Sequence, residues 1–307
     1  MSTVIVGFDA SEQSDDALVL GQALAKVYGA ELHIAIVLPR TRIPFEEAIA
    51  GGPLSAQLEE RLCESAERRL GNTEFVRASL DGEAGGRSAA RALYEYAEEQ
   101  GADLIVVGSS HRGKLGRILP GSVGESLLRG APCAVAVAPR GFARHDHPGF
   151  QRIGIAYDGS QEGDLALAEA GRLSRSVGAQ LHVITVVPTQ MPFQMQTALA
   201  GELLEDLRDE FRRVLERGLS KLGDKTEAEA ALREGDPAAV LAEQGIDLDL
   251  LVMGSRGYGP VRSALLGAIS SAVMRTAPCP VLITPRGLTH ESEPNRRRAH
   301  DELAVEQ

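Results

Sequence analysis

The chain lacks tryptophan, has few other aromatic residues and contains only three cysteines in 307 residues. Cys63, Cys133 and Cys279 lie far apart and have no metal-ligand spacing, which favours a reduced compartment. No segment reaches the roughly 18 consecutive apolar residues of a membrane helix. A strand-like segment follows Met1 directly, in the place where a secretory signal would stand. We therefore expect a cytoplasmic protein with no membrane partner.

Positive charge is also in short supply. The chain has 43 acidic and 32 basic residues, which gives a formal net charge of −11. Broad contact with nucleic acid or with an anionic membrane requires a cationic face. The composition therefore argues against nucleic acid as a partner.

An internal repeat is the most informative feature that is present. Gly108, Gly121 and Ala131-Pro132-Cys133 recur 146 positions later as Gly254, Gly267 and Ala277-Pro278-Cys279. This period is too long for a solenoid unit and matches the length of a whole domain. We predict a first domain over 1–141, a linker over 142–151, a second domain over 152–288 and a disordered, charged tail over 289–307.

Each copy alternates short apolar segments with amphipathic segments, which predicts alternating strands and helices. The strands are apolar throughout, as expected for a parallel sheet covered by helices on both faces. Right-handed crossovers then indicate two doubly wound, Rossmann-like α/β domains. Strand five of each copy would be an exposed edge, so we expect the two domains to pack as a pseudo-twofold pair. Two such chains could associate further as a homodimer.

Each copy also places a glycine loop between its fourth strand and the next helix. The second copy reads Gly254-x-x-Gly257, nine residues, then Gly267-Ala268-Ile269-Ser270. A glycine at the end of a buried strand lets the backbone approach a ligand closely. A helix that opens at Gly267 has free N–H groups and a dipole that favour an anion. The corresponding residues of the first copy are Gly108, His111, Gly121, Ser122 and Val123.

An aspartate ends strand one in each copy, and a small residue and a serine follow it. If strands one and four are neighbours, Asp9 and Asp158 face the glycine loops across the switch point of the sheet. A carboxylate there can hold a ribose hydroxyl or a magnesium ion. The alternative is that these aspartates and glycines are turn and cap residues of an ordinary α/β protein.

Taken together, both copies resemble the universal stress protein family, whose ATP-binding members carry G-x2-G-x9-G-(S/T) after the fourth strand. The resemblance covers about 1–141 and 151–287. It implies the adenine nucleotide alpha hydrolase-like fold, with five parallel strands in the order 3-2-1-4-5, and ATP across the ends of strands one and four. Asp9 and Asp158 would then approach the ribose and Mg²⁺, and Val37 and Val186 would meet adenine through their backbones. The phosphates would be held by Gly108, Gly121, Ser122, Gly254, Gly257 and Gly267.

Two departures from that motif make the copies unequal. His111 replaces the second glycine of the first copy, where its side chain would either clash with a phosphate or donate a charge-assisted hydrogen bond to it. Ala268 replaces the usual serine or threonine of the second copy. The lost hydrogen bond costs about 0.5–1.5 kcal/mol, which weakens binding without forbidding it.

We therefore predict a cytoplasmic, ATP-binding regulatory or stress-response protein that is not an enzyme. The alternatives are a nucleotide-free interaction module of the same fold and a slow ATPase or phosphotransferase. No G-x-S-x-G motif occurs, and the stretch from Gly108 to Leu115 is one residue short of a P-loop. His33 and His182 are expected to be satisfied strand histidines rather than metal ligands. The sequence names no protein partner and no inducing stress.

Overall fold

The computed structural model describes residues 2–39, 52–82, 88–110, 115–189, 200–223, 226–255 and 267–285. The first copy comprises β1 (Thr3–Gly7), α1 (Glu12–Tyr28), β2 (Glu31–Pro39), α2 (Gly52–Leu70), β3 (Val76–Gly82), α3 (Ala89–Gln100), β4 (Leu104–Gly108), α4 (Ser122–Leu128) and β5 (Ala134–Ala138). The second comprises β6 (Arg152–Ala156), α5 (Gln161–Val177), β7 (Gln180–Pro188), α6 (Ala200–Leu222), β8 (Ala228–Gly235), α7 (Pro237–Gln244), β9 (Leu250–Gly254), α8 (Ala268–Thr276) and β10 (Val281–Thr284). Short 3-10 turns lie at Phe142–Arg144 and Gly245–Asp247.

All of these strands belong to one sheet, in the order β3-β2-β1-β4-β5-β10-β9-β6-β7-β8. Within each copy the strands are parallel and follow the predicted order 3-2-1-4-5. The two halves join where β5 and β10 pair antiparallel, with Val137 opposite Val281. The predicted α/β fold is therefore confirmed, and the two edge strands cover each other.

Helices cover both faces of the sheet and bury two separate apolar layers. One layer packs α1, α2, α5 and α6 against alternate strand residues such as Val4 and Val6. The other packs α3, α4, α7 and α8 against the intervening residues, such as Ile5. Burial of both strand faces explains why the strands are apolar without alternation. Among the described helices, none combines the length and the apolar character that a bilayer span requires.

Helix ends follow local signals in the sequence. The side chains of Ser11, Ser160 and Asp236 accept hydrogen bonds from backbone N–H groups in the first turns of α1, α5 and α7. Gly29 and Gly178 end α1 and α5 in the left-handed conformation that glycine adopts without strain. The caps at Ser11 and Ser160 fix where α1 and α5 begin after β1 and β6, beside the candidate site.

The segment after β5 is fastened to α1 by a buried carboxylate. Asp16 is 2% exposed and accepts hydrogen bonds from the backbone N–H groups of Gly141 and Ala143, both at 2.7 Å. Burial raises the pKa of Asp16, while the two backbone donors act in the opposite direction.

The predicted boundaries at 141 and 152 stay predictions, and the predicted tail over 289–307 lies outside the described residues.

A second contact joins the copies through α1 and α5. The Tyr28 hydroxyl donates to the carboxylate of Glu169, which also accepts two hydrogen bonds from Arg172 at 2.7 and 3.1 Å. The Arg172 guanidinium lies 4.2 Å from the centre of the Tyr28 ring. Burial, followed by the charge of Glu169, raises the pKa of Tyr28 well above its usual range. This neutral phenol and the ion pair help hold the two halves in register.

Candidate functional site

Strands one and four are neighbours in both copies, as the site hypothesis required. Val6 pairs with Val106 and Ala156 pairs with Met253. Continuing this register places Asp9 and Asp158 just beyond the ends of their strands, close to the level of the strand-four glycines. Each aspartate therefore lies at the switch point of its sheet, where α/β proteins bind ligands.

The aspartates also shape the turns that they occupy. Asp9 Oδ1 accepts from the Ser11 N–H at 3.0 Å, and Asp158 Oδ1 accepts from the Ser160 N–H at 3.0 Å. The residue after each aspartate is left-handed, with φ 59° at Ala10 and φ 76° at Gly159. The turn role offered by the alternative hypothesis is thus present, and a ligand role for the same carboxylates stays a prediction.

The strand-four glycines allow a helix to approach the sheet closely. A Cβ on Gly108 would lie 1.9 Å from the backbone oxygen of Gln13, and a Cβ on Gly254 would lie 2.9 Å from that of Glu162. Either contact is shorter than a real Cβ tolerates, so the first turns of α1 and α5 depend on these glycines. The structure therefore gives Gly108 and Gly254 a packing role that the motif alone did not reveal.

Each glycine loop closes on itself and brings the start of a helix back to the end of strand four. In the first copy the backbones of Ser109 and Pro120 form an isolated antiparallel β-bridge, and the Ser109 hydroxyl accepts from the Leu119 N–H at 2.7 Å. In the second, the Gly267 N–H donates to the Ser255 carbonyl at 2.7 Å. The buried Ser270 hydroxyl donates to the Gly254 carbonyl at 3.0 Å, so this side chain serves loop closure.

The helices that begin at these loops lack the side-chain caps that other helices have. Gly121 and Gly267 are the N-caps of α4 and α8, and no side chain in the described part of the chain caps either helix. By contrast, hydroxyl or carboxylate side chains cap α1, α3, α5 and α7. The residues that follow the two glycines are exposed at Ser122, Ala268 and Ile269 and half-buried at Val123. The first-turn N–H groups of α8 therefore suit an external acceptor.

The strand-two valines lie beyond the end of strand one. The pairing of β1 with β2 ends at Gly7 and Ala35, and that of β6 with β7 ends at Ala156 and Ile184. Val37 and Val186 follow two residues after the strand-two members of these pairs. Their outer neighbours are in β3 and β8. The backbone of Val37 and Val186, on the side that faces strand one, therefore extends past the end of strand one towards the aspartate turn. This is the place predicted for adenine.

The remaining sequence predictions have different outcomes. His111 and Gly257 lie outside the described residues. Buried His33 contacts the Tyr96 hydroxyl at 2.7 Å through Nδ1, so it is a satisfied strand histidine as predicted. The same prediction fails for His182, whose buried Nε2 has no hydrogen-bond partner among the described residues. Burial raises the pKa of the Cys133 and Cys279 thiols to about 12, which makes them inert apolar residues at neutral pH.

Two further residues contact the glycine loops and were missed from the sequence. Gln13 and Glu162 occupy matched positions, four residues after Asp9 and Asp158. A Cβ on Gly108 would lie 3.0 Å from the Gln13 Cβ, and a Cβ on Gly254 would lie 3.0 Å from the Glu162 Cβ. Aligning the two copies from their aspartates shows this equivalence. Its meaning depends on the close approach of the helices, which no sequence pattern reports.

The first copy's loop also touches the far end of a second-copy helix. The Arg117 guanidinium donates to the Thr276 carbonyl at 2.7 Å, and the Ile118 N–H donates to the Ala277 carbonyl at 3.1 Å. Helix α8, which begins at Gly267 in one cleft, therefore ends against the loop of the other cleft.

The fold and the two switch-point turns define a tandem, doubly wound α/β protein. The sequence profile of the Universal stress protein family matches residues 1–139 and 149–285. The chain therefore belongs to the universal stress protein family.

The chain is similar both to proteins of about its own length and to a shorter one. A universal stress protein of Mycobacterium tuberculosis is 25% identical over 295 residues, which cover 92% of this chain and 99% of the relative. A half-length universal stress protein of Thermus aquaticus is 34% identical over 136 residues, covering 44% of this chain and 98% of its own length. A solved universal stress protein from Archaeoglobus fulgidus has a TM-score of 0.65 at 23% identity, covering 93% of this chain and 98% of that chain. At this identity the structural likeness supports the fold alone.

Proposed function

We propose that this protein binds ATP with Mg²⁺ in its switch-point clefts and acts as a nucleotide-dependent regulatory protein. The observation that carries the proposal is the absence, in the described residues, of a side-chain cap on α8 and α4, the helices that begin at the two glycine loops. A phosphate oxygen is a suitable acceptor for such N–H groups. The aspartate turns and the part of strand two that extends past strand one supply neighbours for ribose and adenine.

Magnesium in this proposal arrives with the nucleotide. In the described ranges, no three histidine, cysteine, aspartate or glutamate side chains cluster closely enough to hold a metal ion. Mg²⁺ usually retains waters and is bound through one or two carboxylates together with substrate phosphates. Asp9 and Asp158 each supply one such carboxylate, which fits a nucleotide-borne ion better than a permanent one.

We also propose that the protein works in the cytoplasm and regulates by occupancy rather than by turnover. The three thiols are buried and unbridged. Among the described residues that follow the two helix-opening glycines, the exposed ones are Ser122, Ala268 and Ile269, and none of these three side chains is a general base at neutral pH. Nucleotide occupancy would then change which protein partner, or which second copy of the chain, is bound.

Valine substitutions at the helix-opening glycines test the proposal. Gly121 and Gly267 have φ of −76° and −66°, which any residue adopts, and among the described residues a Cβ on Gly121 would meet only the Ser110 Cβ at 3.9 Å. Gly121→Val therefore has both the backbone conformation and the room for a side chain, and Gly267→Val has the backbone conformation. Each valine fills the space proposed for phosphate. We expect each variant to lose one ATP site in calorimetry with Mg²⁺, and to lose the matching part of the ligand-induced rise in Tm.

The matched control is Gly130→Val, because a Cβ at Gly130 meets no described residue within 4 Å and Gly130 follows the far end of α4 from Gly121. It should bind as the natural protein does. If the natural protein binds no ATP with Mg²⁺, the proposal is wrong and the nucleotide-free interaction module is the better description. If the natural protein releases phosphate from ATP and both Asp9→Asn and Asp158→Asn abolish that release, the slow ATPase is favoured instead.

A further inference from the structure

A pocket lies at the junction of the two copies, and neither Asp9 nor Asp158 lines it. Its volume is about 360 Å³, and ligand pockets usually measure about 300–1,000 Å³, so a small ligand fits. All residues that line this junction pocket belong to the described part of the chain. The walls come from α1 and from residues within 115–116, 139–142, 145–150, 245–249 and 278–280. Both copies and the linker are therefore needed to form it.

Two exposed apolar side chains border the junction pocket, one from each copy. Leu115 is 60% exposed and Ile246 is 64% exposed, which makes them the two most exposed large apolar side chains among the described residues. A single exposed apolar side chain is ordinary on a protein surface, but here the two extremes belong to one pocket. A ligand that covers them removes apolar area from water, which favours its binding.

The first-copy wall of the pocket is held in place by the protein itself. The Gly116 N–H donates to the Arg140 carbonyl at 2.7 Å, which ties the glycine loop to the segment after β5. Asp16 holds the same segment through the N–H groups of Gly141 and Ala143. A wall that is already ordered lowers the entropy cost of binding a ligand.

The linker adds a ring surface to the pocket. The rings of Phe142 and His147 are stacked, with their centres 3.6 Å apart and their planes 14° from parallel. His147 Nε2 donates to the Phe142 carbonyl at 2.6 Å, which fixes the imidazole over the phenyl ring. His147 is exposed, and no other ring among the described residues stacks on it. An aromatic ligand can therefore extend this stack with its own ring.

Basic side chains outnumber acidic ones in the pocket wall. Arg140, His145 and His147 line it, and the lining residues include a single carboxylate, that of Asp249. Asp249 Oδ2 already accepts from the backbone N–H groups of residues 151 and 152 at 2.7 and 2.8 Å, so it fastens the start of β6. His145 is exposed, and an imidazole N–H can donate to a ligand oxygen. An anionic acceptor on the ligand therefore complements this wall.

We propose that the junction pocket binds a small aromatic carboxylate. The ring of the ligand stacks on His147 and is covered by Leu115 and Ile246, while its carboxylate lies among the basic side chains of the wall. This site is separate from the proposed ATP sites and does not depend on nucleotide binding.

Three probe molecules separate the contribution of the ring from that of the charge. Phenylacetate has both, 2-phenylethanol has the ring without the charge, and propionate has the charge without the ring. Ligand-observed NMR titrations of the full chain measure the affinity for each. We expect phenylacetate to bind at least roughly fivefold more tightly than 2-phenylethanol, and propionate to show no saturable binding. Equal affinities for phenylacetate and 2-phenylethanol, or no saturable phenylacetate binding up to about 10 mM, would overturn the proposal.

Two substitutions at one exposed position test whether the probe binds in this pocket. Ile246→Asp and Ile246→Lys both remove the apolar rim, but they introduce opposite charges. We expect phenylacetate to bind roughly fivefold more weakly to Ile246→Asp than to Ile246→Lys, and 2-phenylethanol to bind both variants equally. The matched control is Leu58→Asp, which replaces a 43% exposed apolar side chain of α2 outside the pocket and should bind phenylacetate as the natural protein does. Equal phenylacetate affinity in the two Ile246 variants, or a loss of affinity in the control, would show that the ligand does not bind here.

Discussion

The two copies share a fold yet differ at the turn where strand one meets its helix. In the first copy this turn contains Ala10 in a left-handed conformation, and a buried Asp16 follows in α1. In the second copy the matched residues are Gly159 and Leu165. The helix also approaches strand four more closely at Gly108 than at Gly254. The first copy is thus the more constrained around its cleft, although both clefts are built from the same elements.

This comparison separates what duplication preserves from what it leaves free to vary. Strand order, helix caps and loop glycines recur because the sheet and its two apolar layers require them in each copy. The residues that differ surround the clefts without forming the sheet. They can change affinity, charge and local stability while the fold stays the same.

The largest expected effect is on the strand-four glycines. Gly108→Ala should destabilise the protein by about 3 kcal/mol, because the added Cβ must displace the α1 backbone. Gly254→Ala should cost about 1 kcal/mol, because its Cβ starts from 2.9 Å. Urea unfolding of the two variants beside Gly130→Ala provides the measurement. Equal losses at Gly108 and Gly254 would remove the claim that the first copy is tighter.

The next effect concerns the fastening of the segment after β5. Asp16→Ala leaves the N–H groups of Gly141 and Ala143 without their acceptor, which should cost about 2 kcal/mol. Asp16→Asn retains one acceptor and should lose less. An Asp16→Ala protein as stable as the natural one in urea would show that the carboxylate does not fasten this segment.

The same residue predicts a pH dependence. Burial raises the pKa of folded Asp16 above its ordinary value of 3.8, so the folded state binds this proton more tightly than the unfolded state. The associated stabilisation is present at low pH and is lost as the pH rises through the raised pKa. The unfolding free energy of the natural protein should therefore fall relative to Asp16→Asn from acidic to neutral pH. If the unfolding free energy of the natural protein instead rises relative to that of Asp16→Asn over this range, the assigned direction of the pKa shift is wrong.

The smallest expected effect is on the aspartate turns. Ala10 has φ 59°, where a Cβ costs about 1–2 kcal/mol. Ala10→Gly removes this cost, and the larger entropy that glycine loses on folding offsets only part of the gain, so stability should rise by about 0.5–1 kcal/mol. Gly159→Ala should lower it by about 1 kcal/mol. Thermal unfolding of both variants checks the pair, and a shift of the same sign in each would show that the turns are not equivalent.

Sequence reasoning identified the fold well because strand burial and turn chemistry are local signals. The apolar strands appear as predicted. The cap at Ser11 and the left-handed Gly29 that ends α1 are local signals of the same kind. The equivalence of Asp9 and Asp158 followed from the repeat, and the sheet confirms that both follow strand one beside strand four.

The details of the site were harder to predict from the sequence, because they depend on contacts between distant segments. The contact of Gly108 with the Gln13 backbone joins residues far apart in sequence, and glycine motifs do not distinguish a ligand from a packed helix. The bond from Arg117 to Thr276 depends on how the two copies meet. The ligand roles of the cleft residues stay predictions.

The antiparallel junction of β5 and β10 has a consequence for access to the protein. It reverses the direction of every strand in one half relative to the other. The carboxyl ends of the two sets of strands, and the clefts beyond them, therefore open towards opposite sides. Helix α8 spans the sheet between these sides, from Gly267 to the loop that contains Arg117. A partner that docks flat on one side meets one cleft and leaves the other open to solvent.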